Sequence, residues 1–213
     1  MRILVACEES QRVMKEFRKL GHETYSCDIL PCSGGYPQYH IQADASEIIK
    51  IKWDMIIAFP PCTYLSNAGA RHLFKGKVLN QERYEKGLKA KEFFLMFYNA
   101  DCPRIAVENP VSSRIYQMPP CSQEIQPYMF GHPTTKKTRL WLKGLPLLKP
   151  TNIVVPTTTC NEPGNWFNKV NSKNRAIVRS KTFEGVAKAM AEQWSKVCIG
   201  RKKYLFIPKR IEA

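Results

Sequence analysis

Apolar residues along this chain fall into short unbroken runs and helical stripes that alternate. Ile3 to Ala6 is such a run and predicts a buried strand. Val13, Phe17 and Leu20 then recur at helical spacing, with Ser10 as a cap and Gly21 as the stop. Thr24 to Cys27 predicts a second strand, followed by Asp28. Met55 to Ala58 predicts a third, ended by Pro60 and Pro61. Gln81 to Ala100 reads as a helix whose apolar side carries Leu88, Phe93, Phe94, Met96 and Phe97. Arg104 to Glu108 predicts a fourth strand, ended by Asn109-Pro110, and Arg139 to Leu142 a further one. Glu184 to Lys196 is a last helix, with Val186, Ala187, Met190 and Trp194 on one face. Strands alternating with helices predict an α/β fold with a mostly parallel central sheet flanked by helices.

The breaks in this pattern set the organisation. Leu30 to His40 is a loop rich in Pro, Gly and Tyr, and Asp44 precedes a short segment, Ser46 to Lys50. The connection from Phe59 to about Gly76 is long, which is usual for a functional segment. Prolines and polar residues break any long period between Val111 and Pro133. Residues 1–143 therefore read as a core and 144–178 as a loop-rich insertion. Residues 179–213 read as a helix completing the core, followed by a basic tail.

Charge narrows the partners. The chain carries 33 Lys and Arg against 18 Asp and Glu, a formal net charge of +15. That excess favours nucleic acid as partner, with an acidic membrane surface second. Eight cysteines lack Cys-x-x-Cys spacing and only four histidines accompany them, so no metal is expected. Met1 to Val5 begins directly as a strand, so no leader is expected, and the thiols read as reduced in a cytoplasmic compartment. No apolar run reaches the roughly 18 residues that span a membrane.

The chemistry centres on Phe59-Pro60-Pro61-Cys62. Cys62 follows a strand's carboxyl end, where open α/β sheets bind ligands, and two prolines fix the backbone before it. Glu108 stands at the end of another strand and Arg139 at the start of a third. A thiolate can add to carbon 6 of a cytosine ring and make carbon 5 nucleophilic. Addition is easier when an acid protonates ring nitrogen 3 and a cation lies nearby. Asp28, after the second strand, stands where a carboxylate holds ribose hydroxyls in a nucleoside site.

The order of these segments resembles the DNA cytosine-5 methyltransferase family, especially its short, phage-encoded members. Phe59-Pro60-Pro61-Cys62 is similar to the family's Pro-Cys nucleophile motif, Glu108-Asn109-Pro110 to its Glu-Asn-Val motif, and Thr135 to Arg139 to its later arginine motif. Arg179 to Phe183 and the following helix stand where its C-terminal motif packs against the cofactor site. The resemblance implies a Rossmann-like, S-adenosylmethionine-dependent methyltransferase acting on DNA in a bacterial or phage-infected host cytoplasm. It implies that Cys62 attacks the base, Glu108 protonates it, Arg139 steadies it and Asn109 holds the Cys62 loop. Implied cofactor contacts are Cys7, Glu8, Glu9, Ser10, Asp28, Asp44, Pro60 and Thr182. Implied nucleic-acid contacts are Ser66, Arg71, Lys136, Lys137, Arg175 and Arg179. The chain departs from the family in three places. Its first loop, Ala6 to Gln11, has no glycine; Pro110 replaces valine; and the target-recognition region shrinks to roughly Leu145 to Val178.

Plainer readings stand beside these. Cys62 can be a structural cysteine, Glu108-Asn109-Pro110 a strand-end turn, and Asp28 and Asp44 loop or turn residues. Glu8 and Glu9 suit a helix start, where the dipole favours acids. Arg139, the other cations and the tail suit a solvated surface. Trp166 and Phe167 suit either base stacking or anchoring of the insertion. Two other functions remain open: a methyltransferase-like nucleic-acid binder without catalysis, and an enzyme acting on free cytosine nucleotides.

Overall fold

The computed structural model describes residues 1–70, 72–159 and 179–197. Its seven-stranded sheet is built from β1 (Arg2–Ala6), β2 (Glu23–Asp28), β3 (His40–Gln42), β4 (Met55–Ala58), β7 (Ile105–Pro110), β8 (Gln123–Ile125) and β10 (Thr138–Lys143). Two small pairs complete the strands. One is β5 (Phe74–Lys75) with β6 (Val78–Leu79); the other is β9 (Thr134–Thr135) with β11 (Thr158–Thr159). The helices are α1 (Arg12–Lys19), α2 (Ala45–Ile48), α3 (Asn67–Ala70), α4 (Gln81–Tyr98) and α5 (Glu184–Trp194).

The sheet runs in the order β3-β2-β1-β4-β7-β10-β8. The first five strands are parallel, and β10 runs antiparallel to both β7 and β8. The chain grows from β1 toward β2 and β3, then crosses back to β4 and β7. That reversal places a switch point between β1 and β4, where the carboxyl ends of the strands leave a crevice. This is a Rossmann-like α/β architecture.

Both faces of the sheet are covered, which explains why β1 and β4 are apolar without alternation. Ile3, Val5, Met55, Ile57, Ala106 and Leu140 face α1 and α5, packing on Val13, Met14, Phe17, Ala187, Met190 and Trp194. Leu4, Ala6, Ile56, Ala58, Val107 and Trp141 face α4, where Phe94 and Phe97 are fully buried. Gly87 on α4 is required by packing: a Cβ there would stand 2.2 Å from the Tyr116 ring.

Several boundaries differ from the sequence expectation. Leu20 caps the end of α1 and is exposed, with Met14 taking the buried place instead. Leu88 is likewise on the outer side of α4. Ser10 does not cap α1; Gln11 holds that position and Glu8 supplies the acceptors. β7 does not end at Glu108 but continues through Asn109 and Pro110, which pair with Arg139 and Thr138. Within the 144–178 insertion, residues up to 159 are described, and Leu148 is a core residue clasped by two hydrogen bonds from the Gln123 amide.

Candidate active site

Two groups of polar residues flank the switch point. The first lies beyond β1 and β2. Cys7 and Gln11, at either end of the β1–α1 loop, take left-handed backbone with φ of 58° and 57°. Glycine is the usual occupant of such positions, and other residues cost roughly 1 kcal/mol there. The glycine-free loop thus keeps a tight turn by holding two ordinary residues in strained conformations.

Gln11 shows how the strain is held. It is fully buried, and its amide donates to Ser26 Oγ at 3.2 Å and Tyr36 O at 2.8 Å while accepting from Tyr36 N–H at 3.0 Å. Gly34 packs so tightly against it that a Cβ would meet Gln11 Cβ at 2.5 Å. The residue 33–36 segment is therefore bolted across the first loop. Glu8, also buried, accepts from the Val13 and Met14 N–H groups at 2.7 and 3.2 Å, capping α1 from behind. Burial lifts its carboxyl from 4.5 to about 7, against the pull of those two amides. Both Glu8 oxygens are therefore engaged by the helix. The exposed Asp44 accepts from Ser46 N–H at 2.8 Å as the cap of α2, and that bond lowers its carboxyl. Asp28 accepts from Leu30 N–H at 3.0 Å. Burial and then Asp28, Cys27 and Asp44 all push the Cys7 thiol far upward, so these groups share one neighbourhood.

The second group lies beyond β4 and β7. Asn109 is fully buried and its Nδ2 donates to Pro60 O at 3.2 Å, tying β7 to the turn that carries Cys62. Asn109 Oδ1 has no hydrogen-bond partner. The Cys62 carbonyl accepts from Leu65 and Ser66 N–H, so the thiol sits at the start of a tight turn into α3. Cys62 is half-buried and belongs to neither core cluster. Burial raises its thiol pKa and the Glu108 carboxylate raises it further; Lys136 and Arg179 pull it down. Glu108 is also pushed up by burial, against Lys136. Among the described residues no hydrogen bond reaches the Glu108 carboxylate. Two such groups titrate as a pair: charge on one favours the neutral form of the other.

Glu108 opens on a pocket lined by Phe59, Lys136, Thr138, Thr182, Phe183 and Met190, among others. It offers about 30 Å³ to water centres, room for about two waters.

The remaining sequence-predicted residues are placed as follows. Arg139 lies opposite Asn109 on the α4 side of the sheet, whereas Glu108 lies opposite Leu140 on the other side. Its guanidinium is held by Glu124, with Nε and Nη2 each 2.8 Å from Oε1. Lys137 pairs with the same carboxylate at 3.3 Å. Ser66 is buried, and its hydroxyl accepts from Gly69 N–H at the start of α3, so it does not present itself to a nucleic acid. Pro60 is buried with its carbonyl taken by Asn109. Ser10 is buried in the first loop, and Thr182 O accepts from Arg12 at 2.8 Å. Arg179 O accepts from Lys136 Nζ at 2.9 Å. Arg71, Arg175, Trp166, Phe167 and the basic tail fall outside the described residues.

Sequence reasoning missed the clasp made by Gln11 and the inward place of Lys136; it named Lys181 only as a candidate phosphate contact, whereas its Nζ stands 3.9 Å from Glu9. For Gln11 nothing in the sequence signals a buried clasp. Lys136 does carry a signal, since alternation places it with Thr138 and Leu140 on the Glu108 side.

The first group fits a nucleoside cofactor bearing an ammonium group. Glu9 Oε1 is buried without a hydrogen-bond partner, and the nearest cation, Lys181 Nζ, stands 3.9 Å away. That acceptor, ion-paired with Lys181 but without a hydrogen bond among the described residues, and Asp28 at the end of β2 offer the carboxylates that an ammonium and ribose hydroxyls need. Among the described residues no cluster of His, Cys, Asp or Glu suits a metal ion, and no helix is long and apolar enough to cross a membrane.

No protein-family model matches the chain, and no curated protein matches it. Among solved structures it is similar to a prophage-encoded E. coli protein described as a DNA modification methyltransferase. Identity is 15%, the TM-score is 0.45, and the match covers 73% of this chain and 52% of that one. It is also similar to the Entamoeba histolytica methyltransferase EhMeth, with 11% identity, a TM-score of 0.47, and 71% and 57% coverage. The chain spans about half the length of each.

Proposed function

We propose that the chain methylates carbon 5 of cytosine in DNA through a covalent adduct on Cys62. The observation that carries this reading is the hydrogen bond from Asn109 Nδ2 to Pro60 O, which holds the turn bearing Cys62 at the end of the strand that carries Glu108; burial keeps the Glu108 carboxyl toward its protonated form. The Cys62 sulfur, after losing its proton to solvent, bonds to carbon 6 of the base. Glu108 delivers its proton to ring nitrogen 3, so the pair of the 5,6 double bond moves into an enamine between carbons 4 and 5, which makes carbon 5 nucleophilic without forming a free carbanion. Asn109 keeps the Cys62 turn on the edge of β7 through Pro60. S-adenosylmethionine, when bound, supplies an electrophilic methyl group. Glu9 would hold its ammonium and Asp28 its ribose hydroxyls. Loss of the carbon 5 proton and departure of the Cys62 sulfur restore the ring afterwards. A base in a duplex must leave the stack to reach Cys62, and the net charge of +15 supports an anionic polymer as substrate.

The test is transfer of a labelled methyl group to DNA by the wild type and by Cys62→Ala. Removing a covalent nucleophile is expected to cost roughly 10⁴-fold or more. Equal transfer by both proteins would reject Cys62 as the nucleophile.

A further inference from the structure

We infer that the open cleft between the Cys62 turn and the start of α4 binds a nucleotide flanking the target base in the same strand, with Arg83 meeting its phosphate and Tyr64 its base; this rests on the proposed reading of Cys62 as nucleophile and adds a subsite to it. The cleft offers about 430 Å³ and is lined by Tyr64, His72, Asn80, Glu82, Arg83 and Lys86. That volume lies within the range of small-ligand sites, ~300–1,000 Å³, whereas the Glu108 pocket offers about 30 Å³. Chain connectivity sets its distance from the reactive turn. Tyr64 follows Cys62 by two residues, so their Cα atoms stand at most ~7 Å apart. Neighbouring nucleotides of a stacked strand are ~3.4 Å apart along the axis, and farther apart when unstacked. An occupant of the cleft is therefore only one or two nucleotides from a base held at Cys62.

Arg83 gives the cleft its chemistry. It is half-buried, and its Nη2 donates to Gly69 O at 3.1 Å and to Thr63 O at 3.4 Å. Both carbonyls belong to the segment that follows Cys62. That segment is closed tightly: a Cβ on Gly69 would stand 2.1 Å from Thr63 O. The two bonds use the Nη2 protons, and the N–H groups of Nη1 and Nε remain. Glu82 is held by Lys86 at 2.5 Å, so those two charges cancel. Among the described residues no carboxylate lies within ion-pair distance of Arg83. Asn80 Oδ1 accepts from the Arg83 backbone N–H at 3.0 Å, which commits it to the helix cap. Arg83 is thus a fixed, uncancelled cation with donors to spare, and a phosphate suits it. Its Cζ stands 5.0 Å from the centroid of the half-buried Tyr64 ring. An aromatic ring beside a guanidinium is a surface on which any base stacks. The net charge of +15 favours a polyanion as the source of that phosphate. Because the same guanidinium grips the Thr63 and Gly69 carbonyls, a nucleotide bound there also steadies the turn behind Cys62.

The experiment is binding of a short fluorescein-labelled DNA of mixed sequence, as single strand and as duplex, to the intact protein without a methyl donor. Anisotropy is read across a range of salt. Arg83→Gln is expected to weaken binding about tenfold and to lower the slope of log affinity against log salt by about one. Tyr64→Leu is expected to weaken single-strand binding about tenfold and to keep the slope. Lys89→Gln removes an exposed charge of α4 outside the cleft and is expected to stay within about twofold of the wild type. A further measurement needs no variant: a strand carrying 5-iodouracil in place of thymine, irradiated on the wild type, is expected to cross-link a peptide containing Tyr64. If Arg83→Gln does not fold, Tyr64→Leu and the cross-link decide. Losses no greater than that of Lys89→Gln, or cross-links that avoid Tyr64, overturn the inference. Competition by a deoxynucleoside monophosphate as strong as that by the strand assigns the cleft to free nucleotides and overturns it too. Cys62-dependent methyl transfer to DNA with wild-type affinity in Arg83→Gln sinks the subsite alone. Binding that follows Arg83 and Tyr64 without any methyl transfer sinks the functional reading and leaves the cleft as a nucleotide site.

Discussion

The two sides of the switch point hold similar residue types and use them in opposite ways. Beyond β1 and β2, acids and amides are committed to the backbone: Glu8 to the first turn of α1, Asp44 to α2, Asp28 to Leu30, and Gln11 to three partners. Among the described residues only Glu9 keeps a buried oxygen without a hydrogen bond there, and it is ion-paired with Lys181. Beyond β4 and β7, among the described residues, Glu108 receives no hydrogen bond and the buried Asn109 Oδ1 is unpaired. Native proteins rarely leave a buried amide oxygen unsatisfied. A carboxylate bound to helix amides builds the fold, whereas one held in a pocket with no partner is available for a proton transfer.

The comparison breaks first at Glu108. Glu108→Gln keeps the shape and removes the proton donor, so methyl transfer is expected to fall by about 10²- to 10³-fold. Its stability should not fall. The Glu108 carboxyl is raised in the folded protein, so ionising it destabilises the fold as pH rises above the normal carboxylate range. Glutamine removes that loss. Kinetics and a denaturant titration of one variant check both halves. A variant that keeps its activity and loses stability would place Glu108 with the structural acids.

Glu8 tests the other side. Its carboxyl is raised from 4.5 to about 7, so the fold is favoured below pH 4.5 and loses about 3 kcal/mol as pH rises to about 7. Glu8→Gln should flatten that slope in melts measured across the same window. A slope unchanged in the variant means another group carries it. Asp44→Ala is the smallest effect expected. It removes a helix cap whose acceptor is exposed, at a cost of about 1 kcal/mol or less. Its carboxyl is lowered by the Ser46 amide, so the contribution is present at neutral pH and lost as pH falls through the folded value. A larger loss, or a fall in donor affinity without a loss of stability, would show Asp44 serving a ligand.

The sheet was legible in the sequence where apolar runs were complete. β1 and β4 are buried on both faces and leave no polar break. The short strands β3 and β8 were not, because His40–Gln42 and Gln123–Ile125 have too few apolar residues to show a period. Cys62, Glu108 and Asn109 were legible because prolines and strand ends mark them. The face that Arg139 takes was not legible, for a physical reason. A one-residue step along a strand reverses the side chain's face, and the charge run from Lys136 to Arg139 conceals which cation points inward. The bonds that engage Glu8 and Gln11 join residues to amides and loops whose nearness only the folded chain creates.

The most direct test of the central claim is a trap for the adduct. A DNA oligonucleotide carrying 5-fluorocytosine has no proton to lose from carbon 5 after methyl transfer, so the sulfur–carbon 6 bond cannot be released by the normal route. Incubated with the protein and S-adenosylmethionine, it is predicted to give a covalent complex whose mass is the sum of protein, oligonucleotide and one methyl group. The modified peptide should contain Cys62, and Cys62→Ala should give no complex. Attachment through another cysteine, or a complete absence of adduct while the donor is bound, would contradict the account.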